Sequence, residues 1–217
     1  MTALALDEVV ARYGDLEVLG PLSLELVRGQ TVALVGKSGA GKSTLLSLMH
    51  QRWRTHGVAL MPQDLGLVPN LSVYHNVYMG GLARYSRWHN LVTLARPYRR
   101  DVEQVRPLLK TLEIEHKCWS AAGELSGGQR QRVAAARAIF QAGDILLADE
   151  PASALDGPMA ETVLATLTQA YDTAVLAMHD VELALRFSDR VVGIANGGIA
   201  LDQPTHRVQA SDLLALY

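Results

Sequence analysis

The segment 36–44, GKSGAGKST, is the feature that most limits how this 217-residue chain can fold. Four residues occupy the fixed positions of the pattern G-x-x-x-x-G-K-[ST]: Gly36, Gly41, Lys42 and Ser43. Glycines there let successive backbone N–H groups turn towards phosphate oxygens, and the lysine reaches the outer phosphates. The flanks agree, because 31–35 (TVALV) predicts a buried strand and 42–52 predicts a helix whose N-terminus attracts anions. The sequence therefore predicts a phosphate-binding loop between a strand and a helix.

Composition excludes several classes of protein. With a net charge of −2, 49% apolar residues and 19% charged residues, the chain has no electrostatic basis for binding nucleic acid or an anionic membrane surface. The single cysteine, Cys118, excludes an internal disulfide framework and suits a reducing cytoplasm, so we expect a buried or inert thiol. The N-terminus MTALALDEVV becomes acidic too early for a signal peptide. The sequence contains no run of roughly 18 apolar residues, the length needed to span a bilayer. Any membrane role is expected to depend on partner chains.

The order of the predicted elements indicates one α/β domain over residues 1–217. Apolar strands alternate with helices in 1–65 and 143–217, which favours a P-loop NTPase core with a mainly parallel sheet. Strands are predicted at 4–12 and 22–27, and we expect a small antiparallel β subdomain in shortened form. The region 66–142 is rich in aromatic residues and arginine and carries helical patterns. We therefore expect an α-helical subdomain, ending with the helix that follows Ser126, inserted into the core.

Helical patterns inside this insertion cover 73–85 and 102–112. Pro97 and Pro107 are expected to break helices or to stand in a first turn, because proline removes a backbone donor. Ser126 has the residue type and position of an N-cap for a further helix over 127–142.

Polar side chains stand at the ends of three predicted strands. Asp149 and Glu150 follow ILLA, Gln63 follows GVALMP, and His179 follows AVLAM. Because the carboxyl ends of parallel strands meet at one edge of a sheet, these groups are expected beside Gly36. One acid there can hold Mg²⁺ through water, the next can deprotonate an attacking water, and an amide or imidazole can contact the metal or the γ-phosphate. Taken alone, each signal also fits a structural turn or an ordinary core or surface histidine.

The segment 125–129, LSGGQ, discriminates between functions. Its serine and two glycines make a helix start that attracts anions, yet the chain already has one phosphate loop, so a second needs a second use. With GKSGAGKST, ADEPASALD and MHD in this order, LSGGQ makes the chain resemble ATP-binding-cassette (ABC) ATPases over nearly its whole length. The resemblance implies an ATPase that uses ATP and Mg²⁺ and powers transport.

The resemblance also implies a role for each matched residue. Tyr13 would stack on adenine, Glu150 would be the general base, and His179 would be the switch histidine. Phosphates would be bound by Gly36, Lys37, Ser38, Gly39, Ala40, Gly41, Lys42, Ser43 and Thr44. The metal would be held by Ser43, Gln63 and Asp149. ATP held by a second copy would be closed over by Ser126, Gly127, Gly128 and Gln129, with Asp156 in the loop that communicates across the dimer.

The implied partners follow from the same resemblance. They are a second copy in a head-to-tail homodimer with ATP at the interface, and separate transmembrane permease subunits gripped by the helical subdomain. A substrate-binding protein would join them if the complex is an importer, and no nucleic acid is expected. The chain would lie in the cytoplasm, peripheral on the inner face of the cell membrane. One departure is that 42–63 is short for this family, with the usual antiparallel hairpin and linker cut to 51–61.

Longer segments, QDLGLVPNLSVYHNVYMGGL and LALRFSDRVVGIANGGIALDQPT, are similar to phosphonate importer ATPases and imply that substrate class. Other functions remain as alternatives: a cassette that drives lipoprotein release or cell-division machinery, or a non-transport cassette. Non-transport cassettes usually carry a coiled coil or zinc insertion, or two cassettes in one chain. A kinase with the same phosphate loop would leave LSGGQ and His179 without a role.

Overall fold

The computed structural model describes residues 4–13 and 16–217, with the side chains of Tyr13 and Leu16 outside the description. The chain divides into two units. The sheet unit comprises the described residues of three segments: Met1–Gln63, Gly143–Ser153 and Tyr171–Tyr217. The helical unit comprises two segments: Asp64–Ala142 and Ala154–Ala170. Among the described residues, no helix is both long and apolar enough to cross a lipid bilayer.

The elements are numbered in chain order. The described residues form these strands: β1 Leu4–Tyr13, β2 Leu16–Leu26, β3 Thr31–Val35, β4 Val58–Met61, β5 Ile145–Asp149, β6 Thr173–Ala177, β7 Arg190–Ala195 and β8 Gly198–Pro204. They form these α-helices: α1 Lys42–Trp53, α2 Val73–Tyr78, α3 Arg87–Ala95, α4 Arg99–Thr111, α5 Gly127–Gln141, α6 Gly157–Ala170, α7 Val181–Arg186 and α8 Ala210–Leu214.

Two sheets build the sheet unit. Strands β1 and β2 pair antiparallel, with Leu4 opposite Leu26 and irregular register further along. A six-stranded sheet among the described residues has the order β4-β5-β6-β3-β7-β8, in which the first five strands are parallel and β8 runs antiparallel to β7. The central strands β3, β5 and β6 are buried at every position, as expected for parallel strands covered on both faces.

Helix α1 packs against strands of both sheets, and its apolar residues help to form the core of the sheet unit. Leu45, Leu46, Met49 and Trp53 are all buried, so the helix that begins at the phosphate loop is held by apolar contacts on several sides. The segment 42–63, predicted to be short, holds α1, a single 3-10 turn over Arg54–His56, and β4. The phosphate loop is thereby fixed between a buried strand and a buried helix.

Two helices of the helical unit differ from the prediction, one near a glycine and one at a proline. The predicted helix 73–85 ends as α2 at Tyr78 and continues as a 3-10 helix over Met79–Arg84. A side chain at Gly80 would collide with the Arg137 carbonyl of α5, so glycine permits the close approach of these two elements. The expectation for Pro107 was wrong: it lies inside α4, whose buried Val105 and Leu109 show that packing outweighs the missing donor.

Buried polar groups hold the helical unit together. The fully buried amide of Asn76 donates to the carbonyls of Val68, Leu71 and Ser72 and accepts from the Val68 N–H at 2.7 Å. The buried carboxylate of Asp101 lies 2.7 Å from His89 Nε2. Because an unpaired buried polar group costs stability, these contacts select one arrangement of the loops.

The mainly parallel sheet, the small antiparallel sheet and the helices confirm the predicted α/β fold class. The bounds of the predicted helical subdomain, 66–142, stay a prediction. One difference concerns α6, which groups with the helical unit although its sequence was assigned to the core. The reason is local packing, since α6 contacts α5 and Gln131 Oε1 of α5 accepts a 2.7 Å hydrogen bond from the Ala154 N–H. Helix α3, capped by Ser86, was not predicted.

Candidate functional site

The strand ends of the sheet unit bring the predicted groups to one edge. Gly36 follows β3, Asp149 ends β5 and is followed by Glu150, and His179 stands two residues beyond β6. These neighbouring strands are parallel, so their carboxyl ends share this edge. A cavity of about 240 Å³ there is lined by Val18, Ser38, Gly39, Gly41, Lys42, Ser43, Thr44, Gln63, Glu150 and His179. Lys37 and Ala40 line an adjoining cavity of about 400 Å³.

Two glycines of the phosphate loop are required by close packing. Gly36 has φ of 141°, and a Cβ there would collide with the carbonyl oxygen of Ile194. Gly41 has φ of 103° at the start of α1, and a Cβ there would collide with the side chain of Leu19. Both positions therefore exclude other residues for reasons of backbone conformation and of space.

Lys42 lies inside the loop rather than in solvent, with only 5% of its surface exposed. Its Nζ donates to the carbonyl oxygen of Gly36 at 2.6 Å and to that of Lys37 at 3.0 Å. Burial lowers the pKa of Lys42 from its usual value, and the negative charges of Glu150 and Asp149 oppose that change. The ammonium group is thus held within the curl of the loop and faces two carboxylates.

Glu150 and His179 form a close pair, with 2.7 Å between Glu150 Oε1 and His179 Nε2. The backbone of Glu150 has φ of 52°, a left-handed conformation that costs about 1–3 kcal/mol for a residue other than glycine. Its N–H donates to the Ala177 carbonyl at 2.9 Å, which ties the turn after β5 to the end of β6. The carboxylate at this strained turn and the imidazole that follows β6 line the same cavity.

Oxygen and amide groups suited to a hard cation stand at the same edge. Ser43 is exposed in the first turn of α1, Gln63 is exposed beyond β4, and Asp149 is buried at the end of β5. Among the described residues, no group of three or more His, Cys, Asp or Glu could hold a metal by itself. A donor set of one hydroxyl, one amide and one carboxylate fits Mg²⁺, which takes its remaining ligands from phosphate oxygens and water.

The helical unit holds the LSGGQ segment and the segment Ala154–Ala170, which begins with Ala154, Leu155 and Asp156. Ser126 is the N-cap of α5, where its Oγ accepts from the Gln129 N–H at 3.3 Å and Gln129 Oε1 accepts from the Ser126 N–H at 3.0 Å. Gly128 lies against Ala154 and Leu155, where a Cβ would come within 2.9 Å of the Ala154 carbonyl oxygen. Asp156 Oδ1 accepts from the Met159 N–H in the first turn of α6. The two motifs therefore meet inside one unit.

Tyr13 and Val18 belong to the two strands of the antiparallel sheet. Tyr13 ends β1, and its side chain, predicted to stack on adenine, lies outside the described residues. Val18 was not predicted, but its side chain lines both cavities beside the phosphate loop. Its signal in the sequence is weak, because a half-buried valine in an antiparallel strand is ordinary.

A glycine-rich loop between a buried strand and a buried helix, beside acids at parallel strand ends, defines a P-loop nucleotide-binding protein. The model of the ABC transporter family matches residues 19–57 and 49–153 of the chain. The chain therefore belongs to the ABC transporter family, as an ATP-binding cassette ATPase. Its sequence-based assignment to this family is confirmed.

Individual relatives agree with this assignment. The phosphonates import ATP-binding protein PhnC of Pseudomonas entomophila (strain L48) is 36% identical over 244 residues, covering 99% of this chain and 91% of the relative. PhnC of Anaeromyxobacter dehalogenans (strain 2CP-C) is 36% identical over 241 residues and 99% of this chain, but the chain spans only 48% of that relative's length. A dimeric ATP-binding cassette, solved in a post-hydrolysis state with ADP and Pi, is 25% identical with a TM-score of 0.78, covering 94% of this chain and 99% of its own.

Proposed function

We propose that this chain is the ATP-hydrolysing subunit of a phosphonate-type importer and works on the inner face of the cell membrane. The observation that carries the proposal is the cavity where the phosphate loop, Gln63, Glu150 and His179 meet. The import function named for the PhnC relatives supports the substrate class. Transport itself would run through separate transmembrane subunits, with a substrate-binding protein on the other side.

In this proposal the phosphate loop and Lys42 hold the triphosphate through backbone N–H groups and one buried ammonium. Glu150 accepts the proton of a water that attacks the γ-phosphorus, the bond to the bridging oxygen breaks, and ADP and phosphate are released. His179, 2.7 Å from Glu150, orients that carboxylate and contacts the γ-phosphate. Ser43, Gln63 and Asp149 would hold Mg²⁺, which when bound neutralises charge on the β- and γ-phosphate oxygens. Tyr13 would stack on adenine.

A homodimer would complete the site. Helix α5 has 15 residues and begins, after exposed Ser126, with two glycines whose backbone N–H groups lie in the first turn and have no carbonyl partner within the helix. Such a helix start attracts phosphate. We propose that it closes over the ATP held by a second copy, with Gln129 stabilising the turn and Asp156 in the loop that communicates between copies. The dimeric state of the similar cassette solved with ADP and Pi supports the homodimer.

The segment 82–100, here called the arginine–aromatic segment, supports a docking surface for the transmembrane subunits. It contains five arginines and no acidic residue. Its exposed apolar side chains are Leu82, Trp88, Leu91, Leu94 and Tyr98, with Trp88 72% exposed. Exposed aromatic and apolar side chains together with arginine are typical of a protein interface. We propose that it receives a cytoplasmic helix of a permease subunit that carries acidic and apolar side chains.

The Glu150→Gln variant tests the ATPase part of the proposal. It keeps the size of the side chain but removes the base, so we expect ATP binding to persist and turnover to fall at least about 10³-fold. Size-exclusion chromatography with ATP should then show a stable dimer, because closure on ATP is no longer followed by hydrolysis. Normal turnover in this variant would remove Glu150 from the role of base. Lys42→Ala is the matched comparison, and it should weaken nucleotide binding itself.

The substrate class needs a separate experiment. The chain would be expressed with the permease and binding-protein genes that neighbour its own, and ATP-dependent uptake of a phosphonate would be measured. Phosphonate uptake that is lost in Glu150→Gln is the expected result. Uptake of amino acids or metal chelates instead would reject the phosphonate proposal, and failure to co-purify with transmembrane subunits would reject a role in transport.

A further inference from the structure

The segment 213–217 lies at the edge of the sheet unit that carries the cavity. Leu213 is fully buried, and the Leu216 side chain sits directly over Gly193 of β7, where any Cβ would collide with it. The Leu216 N–H donates to the Leu213 carbonyl at 2.9 Å, and the Tyr217 N–H donates to the Leu214 carbonyl at 3.2 Å. Two apolar anchors and two backbone hydrogen bonds therefore fix where the next side chain, Tyr217, is directed.

Tyr217 reaches the end of β6 immediately before His179. Its hydroxyl donates to the Met178 carbonyl at 3.3 Å, and its ring centroid lies 6.2 Å from that of His179 at an interplanar angle of 58°. The Met178 N–H donates to the Leu34 carbonyl at 3.0 Å, so both backbone polar groups of Met178, the residue before His179, are hydrogen-bonded. Tyr217 thus contacts the backbone that leads into His179 and also lies beside the imidazole ring itself.

The surroundings keep the phenol in its donor form. Burial raises the pKa of Tyr217, the negative charges of Asp180 and Glu150 raise it further, and a hydrogen bond to the backbone of Gly36 acts in the opposite direction. The hydroxyl therefore stays protonated at neutral pH and can donate. The same contacts place Tyr217 among the phosphate loop, Glu150 and His179.

We propose that Tyr217 is a positioning residue for the hydrolysis reaction: it holds His179 in the orientation that places Nε2 against Glu150. The inference rests on the proposed roles of His179 and Glu150 in ATP hydrolysis. Tyr217 touches neither reacting atom, and it acts by limiting the rotation of the imidazole and the movement of the strand end. Positioning of this kind changes the rate of the chemical step more than the binding of substrate.

Kinetics of the full chain test the proposal. Tyr217→Ala removes ring and hydroxyl and should lower kcat about tenfold, with KM for ATP changed less than about twofold, because small misplacements of a reacting group are costly. Tyr217→Phe keeps the ring and should lower kcat only about threefold, the size expected for one hydrogen bond. Leu214→Ala, at an exposed side chain three residues before Tyr217, is the matched control and should leave kcat unchanged. A rise in KM with kcat preserved would overturn the proposal.

A double-mutant cycle excludes a purely structural role. If Tyr217 acts through His179, Tyr217→Ala should change the residual rate of the His179→Ala protein less than about twofold, since coupled residues are not additive. The same tenfold loss in both backgrounds would show that Tyr217 acts elsewhere. Melting temperatures of all variants would show whether the fold is kept.

An NMR measurement separates this inference from the proposed function. The imidazole signals of His179, assigned by their loss in His179→Ala, should shift in Tyr217→Phe and stay in place in Leu214→Ala. This readout needs no turnover, so it decides the contact even if the wild-type chain hydrolyses no ATP, a result that would reject the proposed function. Unchanged His179 signals in Tyr217→Phe would overturn the positioning role.

Discussion

The sheet unit and the helical unit present their functional groups in opposite ways. In the sheet unit, Lys42 is 5% exposed and donates to two carbonyls, and Glu150 contacts His179 inside one cavity. In the helical unit, Ser126 is exposed at the tip of α5 and Trp88 is exposed on α3. The first arrangement gathers groups from several strands within one chain. The second directs groups to solvent, which is what a unit that acts on other chains requires.

The cores of the two units also differ, because one is almost entirely apolar and the other buries polar side chains. The strands β3, β5 and β6 are buried throughout and almost entirely apolar, so burial of hydrocarbon contributes most of the stabilisation of their side chains. The helical unit buries Asn76, Asp101 and Gln131, each of which has hydrogen-bond partners inside the unit. Its arrangement therefore depends on directional contacts, and its stability should be more sensitive to the loss of one polar atom.

The contrast between the two units is tested most strongly by mixing two inactive variants. Lys42→Ala destroys the phosphate loop of its own unit, and Ser126→Arg blocks the helix tip that is proposed to serve a second copy. Each variant alone should lose nearly all ATPase activity, at least about 10²-fold. In the mixed dimer, one site combines an intact Lys42 with an intact Ser126, so mixing should restore a substantial fraction of the activity.

The control is a mixture of Lys42→Ala with Glu150→Gln, because both changes damage the sheet unit and every site of that mixed dimer contains one of them. This mixture should stay inactive. If Lys42→Ala and Ser126→Arg fail to complement while both variants remain folded, the helix tip does not act on a second copy. The contrast between a self-contained cavity and an outward-directed tip would then lose its functional meaning.

The next largest effect concerns the apolar core of the sheet unit. Leu147 of β5 is fully buried in the core cluster, so Leu147→Ala should lower the free energy of unfolding by about 2–5 kcal/mol through lost burial and a cavity. Val10→Ala on β1 is the control, because its side chain is already exposed and should change stability by less than about 0.5 kcal/mol. Urea unfolding followed by circular dichroism measures both. Equal effects would contradict an apolar origin of stability in this unit.

A smaller effect is expected from the polar core of the helical unit. Asp101 is 1% exposed and accepts hydrogen bonds from His89 and Thr93, so Asp101→Ala should cost about 1–3 kcal/mol by leaving those donors unpaired. Glu103→Ala on the same helix removes an exposed pair with Arg99 and should cost less than about 1 kcal/mol. The same urea experiment applies. A negligible effect at Asp101 would mean that the helical unit is held mainly by its aromatic and apolar contacts.

The same contrast explains how far the sequence predicts this structure. Strand β3 was predicted with the bounds that it has, and Gln63, Glu150 and His179 were predicted at strand ends that share one edge. Parallel strands make such predictions reliable, since each buried run is short and its end is the functional position. Val18 and Tyr217 were not predicted as neighbours of the site, because nothing in the local pattern of an ordinary strand, or of the residues after a short helix, indicates a distant contact.

The helical unit was predicted less completely. The predicted N-cap of α5 at Ser126 was confirmed. It could be predicted because a serine followed three residues later by glutamine makes a local capping box. The end of α2 depends instead on packing against α5, where Gly80 meets the Arg137 carbonyl and Tyr78 lies beside Phe140. Helix α3 has ring contacts through His89, and the helix that contains Pro107 is held by its buried apolar residues. Such contacts join residues far apart in sequence, so periodicity and propensity cannot locate them.

The smallest expected effect on the isolated chain comes from the arginine–aromatic segment. Trp88 and Leu91 are 72% and 59% exposed, so replacing both with serine should change the free energy of unfolding by less than about 0.5 kcal/mol per site and leave ATPase activity intact. Association with transmembrane subunits should nevertheless be lost, since exposed aromatic anchors carry much of the energy of an interface. Co-purification with the permease measures this, and Lys110→Ser, on the exposed surface of α4, is the control. Retained co-purification would show that these outward-directed side chains serve another contact. A loss of stability would show that they support the helical unit itself, and that the outward character of this unit does not extend to α3.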